Sequence, residues 1–220
     1  MTMTPSSTTK GLFLTFEGVD GAGKSTHVQW VSDFLTANGV TVCRTREPGG
    51  TPLGEKLREL LLTEPMNLET ETLLMFAARN EHLRTVIEPA LNAGNWVVCD
   101  RFTDATFAYQ GGGRAMGMDR VAALAQWVHP EFGPDRTWLF DVPLAVAKQR
   151  LADSRSPDRF EREQSDFFER TRAAYMALVA EDEARFEVVD GTQSIETIRV
   201  GLRDDLSKLM AQWRQAAAQT

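Results

Sequence analysis

The sequence has few of the residues that form disulfides or metal centres, with 2 cysteines and 3 histidines among 220 residues. Cys43 and Cys99 each end a short apolar run, and neither belongs to a Cys-x-x-Cys pair. We therefore expect two small buried hydrophobic side chains in a reducing compartment, with a disulfide or a metal pair as the alternative. The histidines His27, His82 and His129 share no metal-ligand spacing, so we expect ordinary core or surface hydrogen bonding from them.

Long hydrophobic runs are also missing. No stretch approaches the roughly 18 consecutive apolar residues of a membrane-spanning helix, so no membrane association is expected. The first residues, MTMTPSSTTK, are polar and are not followed by the apolar segment of a signal peptide. We expect residues 1–10 to form a flexible tail and the protein to be cytoplasmic.

An excess of positive charge is missing as well, since 24 lysines and arginines face 31 aspartates and glutamates, for a formal net charge of -7. Such an overall field does not favour a polyanionic partner, so no nucleic acid is expected to bind. A phosphate-handling protein with this balance has to gather its arginines locally. The length of 220 residues suits one α/β domain, which we assign to residues 11–220.

Short apolar runs alternate with longer segments of helical periodicity along the chain. This rhythm predicts the α/β class, with a five-stranded parallel sheet covered by helices on both faces. Two segments lack the rhythm: the glycine-rich 110–114, which we expect to be flexible, and the charged 153–163. The predicted strands are 12–16, 40–43, 96–99, 137–140 and 186–189. The predicted helices are 24–37, 53–62, 69–92 with an interruption at Pro89, 120–127, 144–152, 165–183 and 194–217.

One motif carries chemistry by itself. The predicted first strand is followed by GVDGAGKS at 18–25, which matches the P-loop pattern G-x-x-x-x-G-K-S/T between a strand and a helix. Its glycines let backbone N–H groups point at a phosphate, and the helix N-terminus adds its positive end. Lys24 is expected to bridge the β- and γ-phosphates of ATP, and Ser25 to bind Mg²⁺ through its hydroxyl. The predicted ATP contacts are Gly18, Val19, Asp20, Gly21, Ala22, Gly23, Lys24, Ser25 and Thr26.

The P-loop alone does not name a reaction. A guanine-selective N-K-x-D is missing, which disfavours a signalling GTPase, and so is the acidic strand with a following catalytic glutamate that is usual in ATPases. Asp100 and Arg101 follow the predicted third strand instead. Asp100 can hold Mg²⁺ through water and Arg101 can reach a second phosphate, although a structural ion pair would explain the same residues. A nucleoside-monophosphate kinase, a related nucleotide or deoxynucleoside kinase and a regulatory P-loop protein all stay open at this point.

Several ordered motifs together resemble those of thymidylate kinases, and the resemblance covers nearly the whole chain after the tail. They are FEGVDGAGKST at 16–26, TREPGGTPLGEKLR at 45–58, LLMFAARNEHL at 73–83, DRFTDATFAYQGGGR at 100–114 and DRFERE at 158–163. The combination is highly specific, whereas no single motif would be. The resemblance implies the nucleoside-monophosphate kinase version of the P-loop fold, with five parallel strands and a mobile lid at about 153–163.

The resemblance also implies an activity and an assembly. The implied reaction moves the γ-phosphoryl group of ATP onto dTMP, with Mg²⁺ as cofactor and dTDP as a precursor of dTTP. The implied assembly is a homodimer built from helices beside the sheet. The P-loop contains no arginine, which resembles the bacterial members that use lid arginines instead, and the candidates here are Arg150, Arg155 and Arg159.

Residue roles in the acceptor pocket follow from the same resemblance. Asp20 resembles the carboxylate that binds the 3′-hydroxyl, and Arg101 the arginine that draws the acceptor phosphate towards ATP. Arg79 is similar to the arginine that reaches the thymine base or its phosphate. Either Phe76 stacks on the base, or Met75 packs there while Phe76 joins the core. The other implied substrate contacts are Pro48, Arg58, Thr106, Gln110 and Tyr109, the last as the aromatic residue that crowds the 2′ position of a ribonucleotide.

Removal of a lid arginine is expected to slow the chemical step. The P-loop lacks an arginine, so the charge that develops on the transferred phosphoryl group needs a cation from the lid, with Arg155 favoured over Arg159. We predict that Arg155→Ala or Arg159→Ala lowers kcat by at least about 10²-fold and lowers kcat more than it raises KM, while the unfolding temperature changes little. Arg162→Ala is the control. Single-turnover rates within a few-fold of wild type for both variants would remove these two residues from the mechanism.

Overall fold

The computed structural model describes residues 9–152 and 165–219, and its centre is a five-stranded parallel sheet in the order β2-β3-β1-β4-β5. The central strand β1 is buried at every residue, as expected of a strand covered on both faces. Its side chains alternate between the faces, because Leu14 and Phe16 join one hydrophobic cluster and Phe13 joins another. The strands are β1 Phe13–Glu17, β2 Val42–Arg46, β3 Trp96–Asp100, β4 Arg136–Asp141 and β5 Phe186–Asp190.

Helices connect the strands, and the predicted α/β architecture with five parallel strands is confirmed. The first helix has the predicted bounds and ends before Gly39, whose positive φ of 80° suits a helix end. Within the described ranges, no helix is long and apolar enough to cross a membrane. The helices are α1 Lys24–Ala37, α2 Pro52–Thr63, α3 Leu68–His82, α4 Glu88–Asn92, α5 Thr103–Thr106, α6 Met118–Val128, α7 Leu144–Ala152, α8 Ser165–Glu181 and α9 Ile195–Ala217, with π-helical segments at Leu83–Ile87 and Phe107–Gly113.

The predicted second strand, 40–43, has the wrong bounds. Val40 lies directly after the turn that ends α1, and its N–H donates back to the carbonyl oxygen of Leu35 at 3.0 Å. β2 is an edge strand, and its half-buried and exposed positions do not form an apolar run that a pattern search can follow. For the same reason Cys43 is only half-buried, whereas Cys99 in β3 is buried as expected. Both thiols are free.

The predicted break of the long helix at Pro89 is also misplaced. The α-helical hydrogen-bond pattern changes one turn earlier, in the π-helical segment Leu83–Ile87, and α4 starts after it. Pro89 lies in the first turn of α4, where a residue without an N–H is tolerated. The proline therefore begins a helix here and does not end one.

The glycine-rich segment 110–114 does not fit the expectation of a flexible loop. Most of it belongs to the π-helical segment Phe107–Gly113, which is largely buried against α8. A Cβ at Gly112 would lie only 2.5 Å from the Cβ of Ala174 on α8. Glycine is needed for the close approach of two helical segments, and not for mobility. The glycines thus bring the end of this segment against α8.

A methyl group at the contact with α8 is expected to destabilise the fold. A Cβ at Gly113 would lie 2.3 Å from Oγ1 of Thr171 and 2.7 Å from the ring of Phe167, so Gly113→Ala should lower the free energy of unfolding by about 1–3 kcal/mol. Gly201→Ala is the matched control, because Gly201 lies within α9 with nothing within 4 Å of an added Cβ. The free energy of unfolding of Gly201→Ala should rise by about 0.5–1 kcal/mol. Urea denaturation measures the free energy of unfolding of both variants, and an equal change in the two would contradict the tight contact at Gly113.

Candidate active site

The loop between β1 and α1 has the geometry that the P-loop motif predicts. Gly18, Gly21 and Gly23 have positive φ angles of 129°, 80° and 97°, a region that favours glycine. A Cβ at Gly18 would lie 2.3 Å from the carbonyl oxygen of Phe140, so glycine is also required for the contact with β4. Among the described residues, no side chain caps the N-terminus of α1. Its first N–H groups are therefore available to an anion.

Lys24 begins α1 and is buried inside this loop. Its Nζ donates hydrogen bonds to the carbonyl oxygens of Gly18 at 2.8 Å and Val19 at 3.1 Å. Burial, followed by the nearby guanidinium of Arg101, lowers the pKa of Lys24 to about 8. The ammonium group is thus held at the centre of the loop and stays mostly protonated at neutral pH.

A cavity opens at the P-loop and reaches the end of β3, where it is lined by Lys24, Ser25, Thr26, Asp100 and Arg101, among others. Oδ1 of Asp100 is buried and has no hydrogen-bond partner in the described part of the chain. A carboxylate oxygen without a donor, in one cavity with a serine hydroxyl, suits a cation that prefers oxygen ligands. Within residues 9–152 and 165–219 no group of three or more His, Cys, Asp or Glu could hold a metal.

A second cavity beside the P-loop was not predicted from the sequence. Arg150 of α7 borders both it and the P-loop cavity, and Arg150 Nη2 donates to the carbonyl oxygen of Gly191 at 2.9 Å. A planar guanidinium in a cavity that is also lined by Ile195 and Ile198 suits a flat aromatic ring. The other lining residues include Thr26, His27, Gln193, Ile195 and Ile198.

The other predicted catalytic arginines cannot be placed in the same way. Arg155 and Arg159 lie outside the described residues, together with the rest of 153–163 and the first eight residues of the predicted tail. Their roles stay predictions from the sequence.

A further cavity, here called the acceptor cavity, lies between α2, α3, α5 and the end of β3. The structure brings almost all of the implied substrate contacts to its wall. Phe76 is the exception, since it is 2% exposed and packs in a hydrophobic cluster. Of the two alternatives on α3, Met75 is therefore the residue at the cavity. The wall residues that were predicted are Asp20, Pro48, Arg58, Met75, Arg79, Arg101, Thr106, Tyr109 and Gln110.

Arg79 is buried at this wall and is held rigidly. Its Nε donates to Oε2 of Glu47 at 2.7 Å, and its Nη2 donates to Oγ1 of Thr106 at 3.0 Å. Its guanidinium lies 4.8 Å from the ring centre of Phe76 and 5.3 Å from that of Phe102. Nη1 has no hydrogen-bond partner within the described residues. A fixed donor that lacks an acceptor at a cavity wall is well suited to an oxygen of a ligand.

Glu47, which holds Arg79 in place and is itself bonded to His82, was not predicted as a site residue from the sequence. Glu47 Oε1 lies 2.9 Å from His82 Nδ1, and His82 Nε2 lies 2.6 Å from Oγ1 of Thr45. His82 is thus a core histidine with both ring nitrogens hydrogen-bonded, as expected for a histidine outside a metal site. The signal for Glu47 was its place within REPGG, directly before Pro48, a predicted substrate contact.

Arg101 lies on the boundary between the P-loop cavity and the acceptor cavity, and so does Asp20. Arg101 Nη2 donates to Asp20 Oδ1 at 2.8 Å and to Tyr109 Oη at 3.0 Å. Tyr109 in turn donates to Oδ2 of Asp20 at 3.0 Å. Burial would raise the pKa of Asp20, but Arg101 and then Lys24 outweigh it and lower that pKa below its ordinary value.

Glu17 ends β1 directly before the P-loop and is fully buried. Its Oε1 accepts from the N–H of Phe102 at 2.7 Å, and its Oε2 accepts from the hydroxyl of Tyr175 at 2.7 Å. Burial, reinforced by the charge of Asp104, raises the pKa of Glu17 to about 7. Glu17 was not predicted as a functional residue, although a carboxylate at the end of an apolar, doubly covered strand was a usable signal.

Comparisons with known proteins identify a family for the chain as a whole. The family model named Thymidylate kinase matches residues 16–200. The thymidylate kinase of Bordetella pertussis is 63% identical over 205 residues, which cover 93% of this chain and 99% of that protein. That of Cupriavidus metallidurans is 60% identical over 200 residues, or 91% of this chain and 100% of its own length. The crystal structure of thymidylate kinase from Ehrlichia chaffeensis superposes with a TM-score of 0.72 at 30% identity and covers 90% of this chain and 99% of its own.

The buried carboxyl of Glu17 is expected to make stability depend on pH. It binds a proton more tightly in the folded chain, so the free energy of unfolding should fall as pH rises from 4.5 towards about 7. Glu17→Gln should remove this pH dependence, so the slope of the free energy of unfolding against pH should decrease by at most about 1.4 kcal/mol per pH unit. Urea denaturation across this range measures the slope, with the exposed Glu183→Gln as control. Parallel curves for Glu17→Gln and wild type would contradict the assignment.

Proposed function

The chain belongs to the thymidylate kinase family, and from this premise we propose that it transfers the γ-phosphoryl group of ATP to dTMP, yielding dTDP for dTTP synthesis. The observation that carries the proposal is the position of Arg101 and Asp20, which line both main cavities. A cation on that boundary can contact an acceptor phosphate and a donor γ-phosphate together. Direct transfer between two polyanions depends on this alignment and on fixed positive charge.

The acceptor cavity supports a deoxyribonucleoside monophosphate as its occupant. Nη1 of Arg79 would donate to an oxygen of the thymine base, and Met75 would pack on the base from α3. Asp20 would accept from the 3′-hydroxyl of the sugar. The buried ring of Tyr109 would leave no room for a 2′-hydroxyl, since its own hydroxyl is already bonded to Asp20 and Arg101.

The donor nucleotide would occupy the P-loop with its phosphates. The first N–H groups of α1 and the Lys24 ammonium would bind the β- and γ-phosphates. A phosphate charge beside Lys24 favours the protonated form of this buried amine. The adenine ring would extend into the region between Arg150 and Ile195, next to Thr26.

Magnesium would be held by Ser25 and by Asp100, whose unpartnered Oδ1 supports a cation there. When bound, Mg²⁺ neutralises charge on the donor phosphates. Lys24 and Arg101 would hold the two phosphates in line, with Arg155 or Arg159 as the further cation predicted from the sequence. No side chain is assigned as a covalent nucleophile, because direct transfer does not require one.

The same family membership supports a homodimer in the cytoplasm. Helices α2 and α3 have an apolar face, on which Leu53, Leu60 and Leu73 are exposed by 49%, 44% and 53%. A second copy of the chain would cover these leucines. Sedimentation velocity tests the homodimer, and a monomer would contradict it.

The reaction is tested by coupled ADP release with dTMP, dUMP, dCMP, thymidine and no acceptor. We expect dTMP to be the preferred acceptor and ADP release without an acceptor to be slow. Lys24→Ala should lower turnover by at least about 10²-fold, the scale of one lost electrostatic donor, with little change in the unfolding temperature. Preferred turnover of thymidine would identify a nucleoside kinase. An absence of ADP release with every acceptor would indicate a regulatory nucleotide-binding protein.

A further inference from the structure

We propose that Glu17 and Tyr175 are positioning residues that hold Arg101 towards the acceptor phosphate without contacting either substrate. The inference rests on the proposed function, because it concerns how Arg101 is presented to dTMP. Glu17 belongs to β1 and Tyr175 to α8, far from each other in sequence. They meet through the hydroxyl of Tyr175, which donates to Glu17 at 2.7 Å.

The backbone at Arg101 shows why it has to be held. Arg101 has a φ of 71°, in the left-handed region that side chains other than glycine rarely adopt. Such a conformation persists only where neighbouring interactions determine it. The N–H of Arg101 donates to the carbonyl oxygen of Phe16 at 3.0 Å, and the next N–H, of Phe102, donates to Glu17 Oε1 at 2.7 Å. The peptide groups on both sides of Arg101 are therefore tied to β1, one of them by the Glu17 side chain.

The side chain of Arg101 is reached by the same carboxylate through Tyr175. The Tyr175 hydroxyl donates to Oε2 of Glu17, so its proton points to that carboxyl group. The oxygen of that hydroxyl is then left to accept from Arg101 Nη1, which lies 3.3 Å away. Asp20 and Tyr109 hold the other terminal nitrogen, Nη2. The guanidinium is thus fixed at both terminal nitrogens. Asp20 and Tyr109 hold Nη2, whereas Tyr175, itself bonded to Glu17, holds Nη1.

Neither proposed positioning residue is within reach of a substrate. Glu17 is 0% exposed and Tyr175 is 1% exposed. Within the described residues, the walls of the P-loop cavity and the acceptor cavity include neither of them. Three other charged groups also act on Glu17 or feel its charge: Asp104 of α5, Arg101 and Lys24. Any effect of Glu17 or Tyr175 on dTMP therefore has to pass through a third residue. Arg101 fits this role, because Tyr175 contacts its side chain and Glu17 binds the peptide group that follows it.

The test compares the binding of dTMP and thymidine to the full-length chain by isothermal titration calorimetry. Thymidine lacks the phosphate that Arg101 would contact. In Tyr175→Phe one long hydrogen bond from Arg101, at 3.3 Å, is lost, so dTMP affinity should fall about threefold to tenfold, while thymidine affinity should stay the same. In an Arg101→Ala background, Tyr175→Phe should have no further effect on dTMP, because the two residues act through one contact.

Thr171→Val is the matched control, since it removes another buried hydroxyl one turn earlier on α8, where Oγ1 donates to the carbonyl oxygen of Phe167. It should leave both affinities unchanged. Glu17→Gln should weaken dTMP binding more than Tyr175→Phe does. If Glu17→Gln does not fold, Tyr175→Phe alone decides the question. Equal losses for dTMP and thymidine, or no loss for dTMP, would overturn the inference. Equal affinities of the wild-type chain for dTMP and thymidine would instead overturn the proposed function, because Arg101 would then not bind the acceptor phosphate.

Discussion

Parallel pairing of β1 with β3 is the constraint on which the site depends. It places Phe16 opposite Asp100, so that the two strands end at the same edge of the sheet. The P-loop leaves the end of β1, and Arg101 leaves the end of β3. Because neighbouring parallel strands lie about 4.8 Å apart, a phosphate-binding loop and an arginine come together without any long side chain to connect them. The remaining residues of the site only refine this juxtaposition.

Local pairing of charge explains how an acidic chain can present arginines to phosphates. Arg79 is paired with Glu47, and both side chains are 3% exposed. Arg101 is paired with Asp20, and Arg185, next to β5, is paired with the buried Asp104 of α5. A buried ion pair adds little net stability, because desolvation of the two charges opposes their attraction. What these pairs supply is direction, since each carboxylate selects one orientation of a long and flexible cation.

The sequence predicted the elements with strong local signals and missed those that depend on contacts far along the chain. The P-loop, the apolar strands β1 and β3 and the bounds of α1 could be predicted because neighbouring residues determine them. The edge strand β2 could not, since solvent accepts polar residues there, and neither could the buried π-helical segment, whose glycines resemble those of a loop. Glu17 and Tyr175 are bonded across a sequence separation of 158, which no local pattern reports. The choice between Met75 and Phe76 depended on the rotation of α3 about its axis, which packing determines.

The shared boundary at Arg101 and Asp20 has a thermodynamic consequence for the order of ligand binding. On the proposed assignment, the acceptor, through its phosphate and 3′-hydroxyl, and the donor, through its γ-phosphate, both compete with the ion pair that Arg101 and Asp20 form with each other at 2.8 Å. The ligand that binds first has to rearrange the pair, and the second ligand meets groups that are already turned towards it. The two binding events are then linked by a coupling free energy, which is reciprocal by necessity. One guanidinium that lines two cavities thus makes each substrate an effector of the other.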